Sequence, residues 1–182
     1  MKQGEGYEIE RILQEMRDEY WRGIEEVGEA ATAETRDYVV FRLGGERFAV
    51  RSATAREVLR VPRLVRVPRV PPQIRGVINL RGEIVAVTDL RPLLGLAGEE
   101  LPAGGQLVVV QAAGLTTALL TERVEGLRGI PLASIEPLTE GLAGFPREIA
   151  EGQVVDDGGL LLLLDLEQIL SRPEFVIDRG GE

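Results

Sequence analysis

The sequence predicts an all-β protein built from two similar subdomains, and three observations carry that prediction. Short β-rich runs recur along the chain with glycine or proline between them, the pattern of a barrel or sandwich. Sliding the chain against itself by 76 residues brings two segments into register. With 182 residues, 44% of them hydrophobic and 28% charged, the chain can bury a core without disulfide or metal staples.

The first element is a helix. Ile9, Ile12, Leu13, Met16, Tyr20, Trp21, Ile24 and Val27 recur at three- and four-residue spacing, one face of an amphipathic helix. Gly28 and the Ala-Thr-rich stretch 29–35 then read as its end and a linker, so residues 1–36 form a helical tail. Such a helix either docks on its own domain or serves as a partner-binding arm carrying the single tryptophan. Its spacing is compatible with both.

Past residue 36 the period changes to that of strands. Tyr38–Leu43 and Arg47–Arg51 flank Gly44-Gly45, a two-residue hairpin signal. Glu57–Val61, Gly76–Leu80, Glu83–Asp89, Leu107–Gln111 and Thr116–Thr121 follow. Gln153–Val155 and Leu160–Leu164 then flank an Asp156-Asp157-Gly158-Gly159 turn.

The duplication pairs GVINLRGEIVAVTDLRPLL, from Gly76, with GQVVDDGGLLLLLDLEQIL, from Gly152. Without a gap, Gly76, Gly82, Asp89, Leu90 and Leu94 fall on Gly152, Gly158, Asp165, Leu166 and Leu170. Each copy reads strand, tight turn, longer apolar strand and short helix. Gly82 and Gly158 are where a positive φ would close the hairpins, and Asp89 and Asp165 fit helix N-caps. Two subdomains, about 37–97 and 105–171, are expected from this, with 172–182 as a C-terminal tail.

Composition excludes most chemistry. The chain has no cysteine, no histidine, one lysine (Lys2) and three serines. That removes thiolate sites, Ser-His-Asp triads, the commonest metal ligand and the P-loop lysine. No enzyme activity, cofactor or metal is expected. Net charge is −9 but uneven: residues 36–91 sum to +7 and residues 92–182 to −10, a layout suited to partners of both signs. The N-terminus lacks the pattern of a signal peptide, and Leu160–Leu164 is too short an aliphatic run to span a bilayer, so a cytoplasmic protein without membrane insertion is expected.

Three features remain as candidate sites. Arginines at 60, 63, 66, 69 and 75 line a proline-rich stretch without an aromatic residue, which argues against nucleic acid and for a solvated, arginine-edged loop. The pairs Glu99-Glu100 and Asp156-Asp157 sit beside glycines and read as solvated turns rather than catalytic dyads. Arg81, at the tip of the Gly76–Asp89 hairpin, either pairs with Glu57 to fix the fold or is displayed to a partner through its planar fork.

The segment GVINLRGEIVAVTDLRPLL resembles the signature of the CheW-type chemotaxis coupling proteins. The resemblance extends over about 37–171, through YVVFRLGGERFAV, Arg56-Glu57-Val58, TERVEGL and LLLLLDLEQIL. It implies two SH3-like five-stranded β-barrels and a non-catalytic adaptor. The implied partners are chemoreceptor cytoplasmic tips, the regulatory domain of the histidine kinase CheA and, in rings, other CheW-like proteins, in cytoplasmic arrays at the inner membrane of a bacterium or archaeon. Carried over by position, Ala55, Glu57, Gly76, Asn79, Arg81 and Gly82 are the implied partner-binding residues, with Arg81 open to either role. Ala86 replaces a usual proline and Glu122-Arg123-Val124 departs from the usual second-half motif. The alternative is a CheW-like regulator of a non-motility pathway, or a detached kinase regulatory module.

Overall fold

Hairpin turns and strict alternation build the architecture. The computed structural model describes residues 10–20, 34–98, 100–138 and 146–175. Gly44-Gly45 closes β1 (Thr35–Leu43) onto β2 (Glu46–Arg51). A short 3-10 turn leads to β3 (Ala55–Arg60), and an exposed arginine-edged loop to the hairpin of β4 (Ile74–Leu80) and β5 (Glu83–Thr88). The same order repeats as β6 (Gln106–Ala112), β7 (Leu115–Thr121), β8 (Arg123–Pro131), β9 (Ala150–Asp156) and β10 (Gly159–Leu164). Helix α1 occupies 10–20, while α2 (Arg91–Leu94) and α3 (Leu166–Leu170) follow β5 and β10.

The strands form two five-stranded sheets, in the orders β8-β1-β2-β10-β9 and β3-β6-β7-β5-β4. The expected split into 37–97 and 105–171 is therefore not the division the sheets make. Each repeat keeps its first hairpin in one sheet and sends its remaining three strands to the other. The connectors at the exchange are short, Ser52–Thr54 between β2 and β3 and Glu122 alone between β7 and β8, and the second edge of β2 is taken by β10 in parallel pairing.

Alternation along β1 explains its unbroken apolar run. Val39, Phe41 and Leu43 face a core shared with Val58, Val108 and Val110 of the other sheet, whereas Tyr38 and Val40 fill the interior of their own barrel with Ile130, Leu161 and Leu163. Ile78, Val85, Val87, Leu107 and Leu120 fill the second barrel.

The duplication holds to the level of single hydrogen bonds. At Gly76 (φ 151°) and Gly152 (φ 158°) an added Cβ would lie 2.7 Å from the Val65 carbonyl oxygen and 2.6 Å from that of Glu136. Each glycine lets a passing strand pair beside it: Val65 with Val77 and Glu136 with Gln153, at 2.8–3.0 Å. Two expected equivalences fail. Gly82 takes a positive φ of 88°, but in the second hairpin Gly159, not Gly158, does so at 101°. Asp165 caps α3 by accepting the Gln168 amide at 3.2 Å, whereas α2 is N-capped by Leu90. Asp89 instead accepts the Arg91 amide at 3.0 Å and grips its guanidinium at 2.8–3.1 Å in a buried pair.

Strand β8 was not among the runs expected from the sequence, because Gly126 and Gly129 interrupt its alternation and only Gly126 and Ile130 are buried. Residues 172–175 are not a free tail either: Phe175 is buried in the shared core and Gln73 donates to the Glu174 carbonyl at 2.9 Å.

Candidate partner-binding site

Arg81 and Gly82 form the two-residue turn between β4 and β5, with φ of 52° and 88°, closed by the Leu80–Glu83 pair. A left-handed pair of this kind matches the twist of the strands, and glycine at its second position carries it without strain. Asn79 fastens the turn, its side-chain oxygen accepting the Gly82 amide at 2.8 Å. Within Asn-Leu-Arg-Gly three residues divide the work: Asn79 clamps, Gly82 permits, and Arg81 is thrust outward with its side chain 68% exposed.

Glu57 reaches Arg81 from the opposite edge of the same sheet. The β3–β6 register shifts between Ala55 and Glu57, a bulge that sets Arg56 outside the ladder and re-aims its neighbours. Arg81 Nη2 donates to Glu57 Oε2 at 3.2 Å, so the pair spans β3 and β4, the two edge strands. Arg56 donates to the Gln111 side chain. Ala55 is half-buried against the shared core. The structure gathers Glu57, Asn79, Arg81 and Gly82 at one end of the second barrel. Gly76 lies at the other end of β4, where its role is the close approach of Val65.

A cleft of about 480 Å³ opens beside Arg81, lined by Glu10, Leu13, Arg56, Glu57, Leu80 and Arg81. Two of these come from α1, which the sequence left undecided and which docks on its own domain. Glu10 Oε1 accepts from Arg81 Nη2 at 3.4 Å, and Leu13 packs on the shared core. Tyr20 donates to Asp37, and its hydroxyl pKa is pushed up to about 12 by burial and by that carboxylate. The half-buried stripe is Leu13, Met16 and Tyr20. Ile12, expected on it, is 47% exposed, and Ile9, Trp21, Ile24 and Val27 lie outside the described residues. Gly28, the stretch 29–33 and Glu99 do so as well.

Asp156, expected as a solvated turn residue, is clamped. It accepts from buried Arg47 at 2.6 and 3.0 Å, from Arg128 at 2.7 Å and from the Gly158 amide at 2.8 Å. The Arg47 hydrogen bonds hold its carboxyl below the ordinary aspartate value. Burial works to raise Glu125, and hydrogen bonds from Arg47 and Arg42 overcome it, so that this carboxyl also sits low. Such a network keeps carboxylates charged and fixed, the opposite of a general acid. Among the described residues no group of three His, Cys, Asp or Glu is arranged to hold a metal, and no helix is long and apolar enough to cross a membrane.

Two interlocked barrels that display a charged turn beside an open cleft define a binding scaffold rather than a catalyst. Residues 37–174 match the CheW-like domain family. The chain belongs to that family, whose members are non-catalytic coupling scaffolds of chemotaxis. It is 26% identical over 139 residues to the chemotaxis protein CheW of Rhizobium meliloti, covering 76% of this chain and 90% of that one. It is 28% identical over 139 residues, with the same coverage, to a probable chemotaxis protein CheW of Rhizobium etli. Its fold is similar to that of a scaffolding CheW protein from Thermoanaerobacter tengcongensis, with a TM-score of 0.69 at 24% identity over 80% of this chain and 94% of that one.

Proposed function

We propose that this chain couples the cytoplasmic tips of chemoreceptors to the regulatory domain of the kinase CheA, and that Arg81 is its central contact. One observation carries the reading: a guanidinium projected from a left-handed turn that Asn79 fastens and paired with the edge-strand carboxylate of Glu57, yet two-thirds exposed. The exposed guanidinium is screened by water and contributes little to stability, so its placement is better explained by what it offers a partner. Glu57 and Asn79 act as positioning residues, Gly82 permits the turn, and Ala55 lines a neighbouring pocket beside Glu57 and Val58. The coupling requires no chemistry, because a shift in the arrangement of receptor, adaptor and kinase changes kinase populations. The protein works in cytoplasmic arrays at the inner membrane. Its basic and acidic portions suit head-to-tail contacts with CheA and with other CheW-like proteins in rings.

Calorimetric titration with a CheA regulatory domain and with a receptor-tip fragment tests this. Saturable binding of both, weakened at least tenfold by Arg81→Ala at an unchanged melting temperature, is the expected result. Binding of the kinase domain alone would instead make the chain a detached kinase module, and binding of neither would remove the coupling role.

A further inference from the structure

The surface that displays Arg81 already has an occupant. Helix α1 lies where the two sheets meet, and its contacts are matched one by one. Glu10 meets the Arg81 guanidinium at one end, Leu13 packs against the shared core, and Tyr20 donates to Asp37 on β1 at the other end. Strand β8 is shaped to receive it. A Cβ on Gly126 would overlap the Met16 terminal methyl, and one on Gly129 would overlap the Tyr20 ring. These two glycines are the ones that interrupt the alternation of β8, and in a strand they cost stability unless another element needs the space. Here another element does.

We propose that the groove between β3 and β8 is a helix-docking site which this chain fills with its own α1, so that a helical partner reaching Glu57 and Arg81 must displace it. The inference rests on the coupling reading above and names the form of its contact. The partner that fits is an amphipathic helix presenting a carboxylate to Arg81 and, along the following three turns, an apolar stripe ending in an aromatic residue. This is the pattern α1 itself presents with Glu10, Leu13, Met16 and Tyr20. Tethered to the barrels, α1 competes at a high effective concentration, and the apparent affinity of any rival falls by the fraction of molecules in which the groove is open.

The test uses the full chain. Met16→Glu with Tyr20→Ala puts a charge over Gly126 and removes the ring over Gly129 without altering either barrel. Amide exchange of residues 10–20 reads the release of α1, and titration with a receptor-tip helical hairpin reads the consequence. Loss of protection together with a roughly tenfold tighter hairpin affinity is expected, equivalent to a groove open about one-tenth of the time in the parent. A synthetic peptide of residues 8–24 should bind the variant and reverse the gain. Glu10→Gln, which spares the apolar seat, should give a smaller gain of about twofold. Loss of protection with unchanged hairpin affinity, while both proteins still bind the hairpin, overturns the competition and leaves the coupling reading standing. Failure of both proteins to bind it overturns the coupling reading and this inference with it.

Discussion

The hairpins β4–β5 and β9–β10 descend from the same sequence pattern but hold their turns differently. Both use a glycine for the close approach of a neighbouring strand, and both form the outer pair of their sheet. At the first, the turn residue Arg81 is exposed and meets one edge-strand carboxylate. At the second, the strand residue just before the turn, Asp156, is gripped by buried Arg47 and by Arg128. The duplication leaves one copy to fasten a barrel and the other to present a side chain. Which copy does which follows from the sign and burial of the residues facing the turn, not from the strand pattern they share.

The largest expected effect breaks the fastened copy. Arg47 is 4% exposed and serves both Asp156 and Glu125, so Arg47→Ala leaves two partly buried carboxylates without their main partner. Removing one member of such a network costs about 3–5 kcal/mol, which lowers the melting temperature by on the order of 10 °C in a chain of this size. Calorimetric unfolding checks it. The same network predicts acid sensitivity. Both carboxyls have lowered folded-state values, so the unfolded chain binds protons more readily as pH falls. Their contribution is fully present at neutral pH, above the unfolded values, and is lost as pH drops through the folded ones. An Arg47→Ala variant should show a correspondingly flatter stability profile on the acid side, measured by urea unfolding at successive pH values.

A smaller effect tests whether the two copies remain equivalent where they look it. Gly76→Ala and Gly152→Ala each push a methyl onto a backbone oxygen, and each should cost about 2 kcal/mol. Gly152→Ala should be the worse of the two, since its Cβ also meets Ile135 Cγ2 at 2.7 Å. Denaturant midpoints of the two variants, compared directly, decide this.

Both copies were legible in the sequence because hairpins are local. Gly44-Gly45, Arg81-Gly82 and Asp156–Gly159 lie within a few residues of the strands they join, and the repeat of Gly76 at Gly152 marks a shared backbone contact. The exchange of strands between the barrels was not legible, because it is decided by pairings between strands far apart in the chain, such as β2 with β10, and by contacts between residues a hundred apart, such as Arg47 with Asp156. The departure at Asp89 has a local cause: Arg91, two residues on, takes the carboxylate that the cap pattern assigned to the helix. Strand β8 and the seat of α1 were hidden from each other. The helix pattern supplied no address, and the glycines that receive it looked like interruptions. Of the residues that the resemblance offered, Glu57, Asn79, Arg81 and Gly82 lie together, whereas Gly76 lies at the far end of β4, and no pattern in the sequence signalled the contact of Glu10 with Arg81.

The smallest effect on stability is also the sharpest test of the displayed copy. If Arg81 served mainly to tie β3 to β4, its loss would loosen the barrel. The Arg81 side chain is largely exposed, although Glu57 is only 21% exposed, so Arg81→Ala should change stability by no more than about 1 kcal/mol. Arg81→Gly goes further, because glycine relieves the positive φ of 52° at that position while giving back part of the gain as chain entropy. Its melting temperature should equal or slightly exceed that of the parent, with partner binding lost to the same degree as in Arg81→Ala. A fall in melting temperature shared by both variants would make the turn a second fastening, and the contrast between the two hairpins would disappear. Equal melting with lost binding would mean that this copy holds its arginine for another molecule.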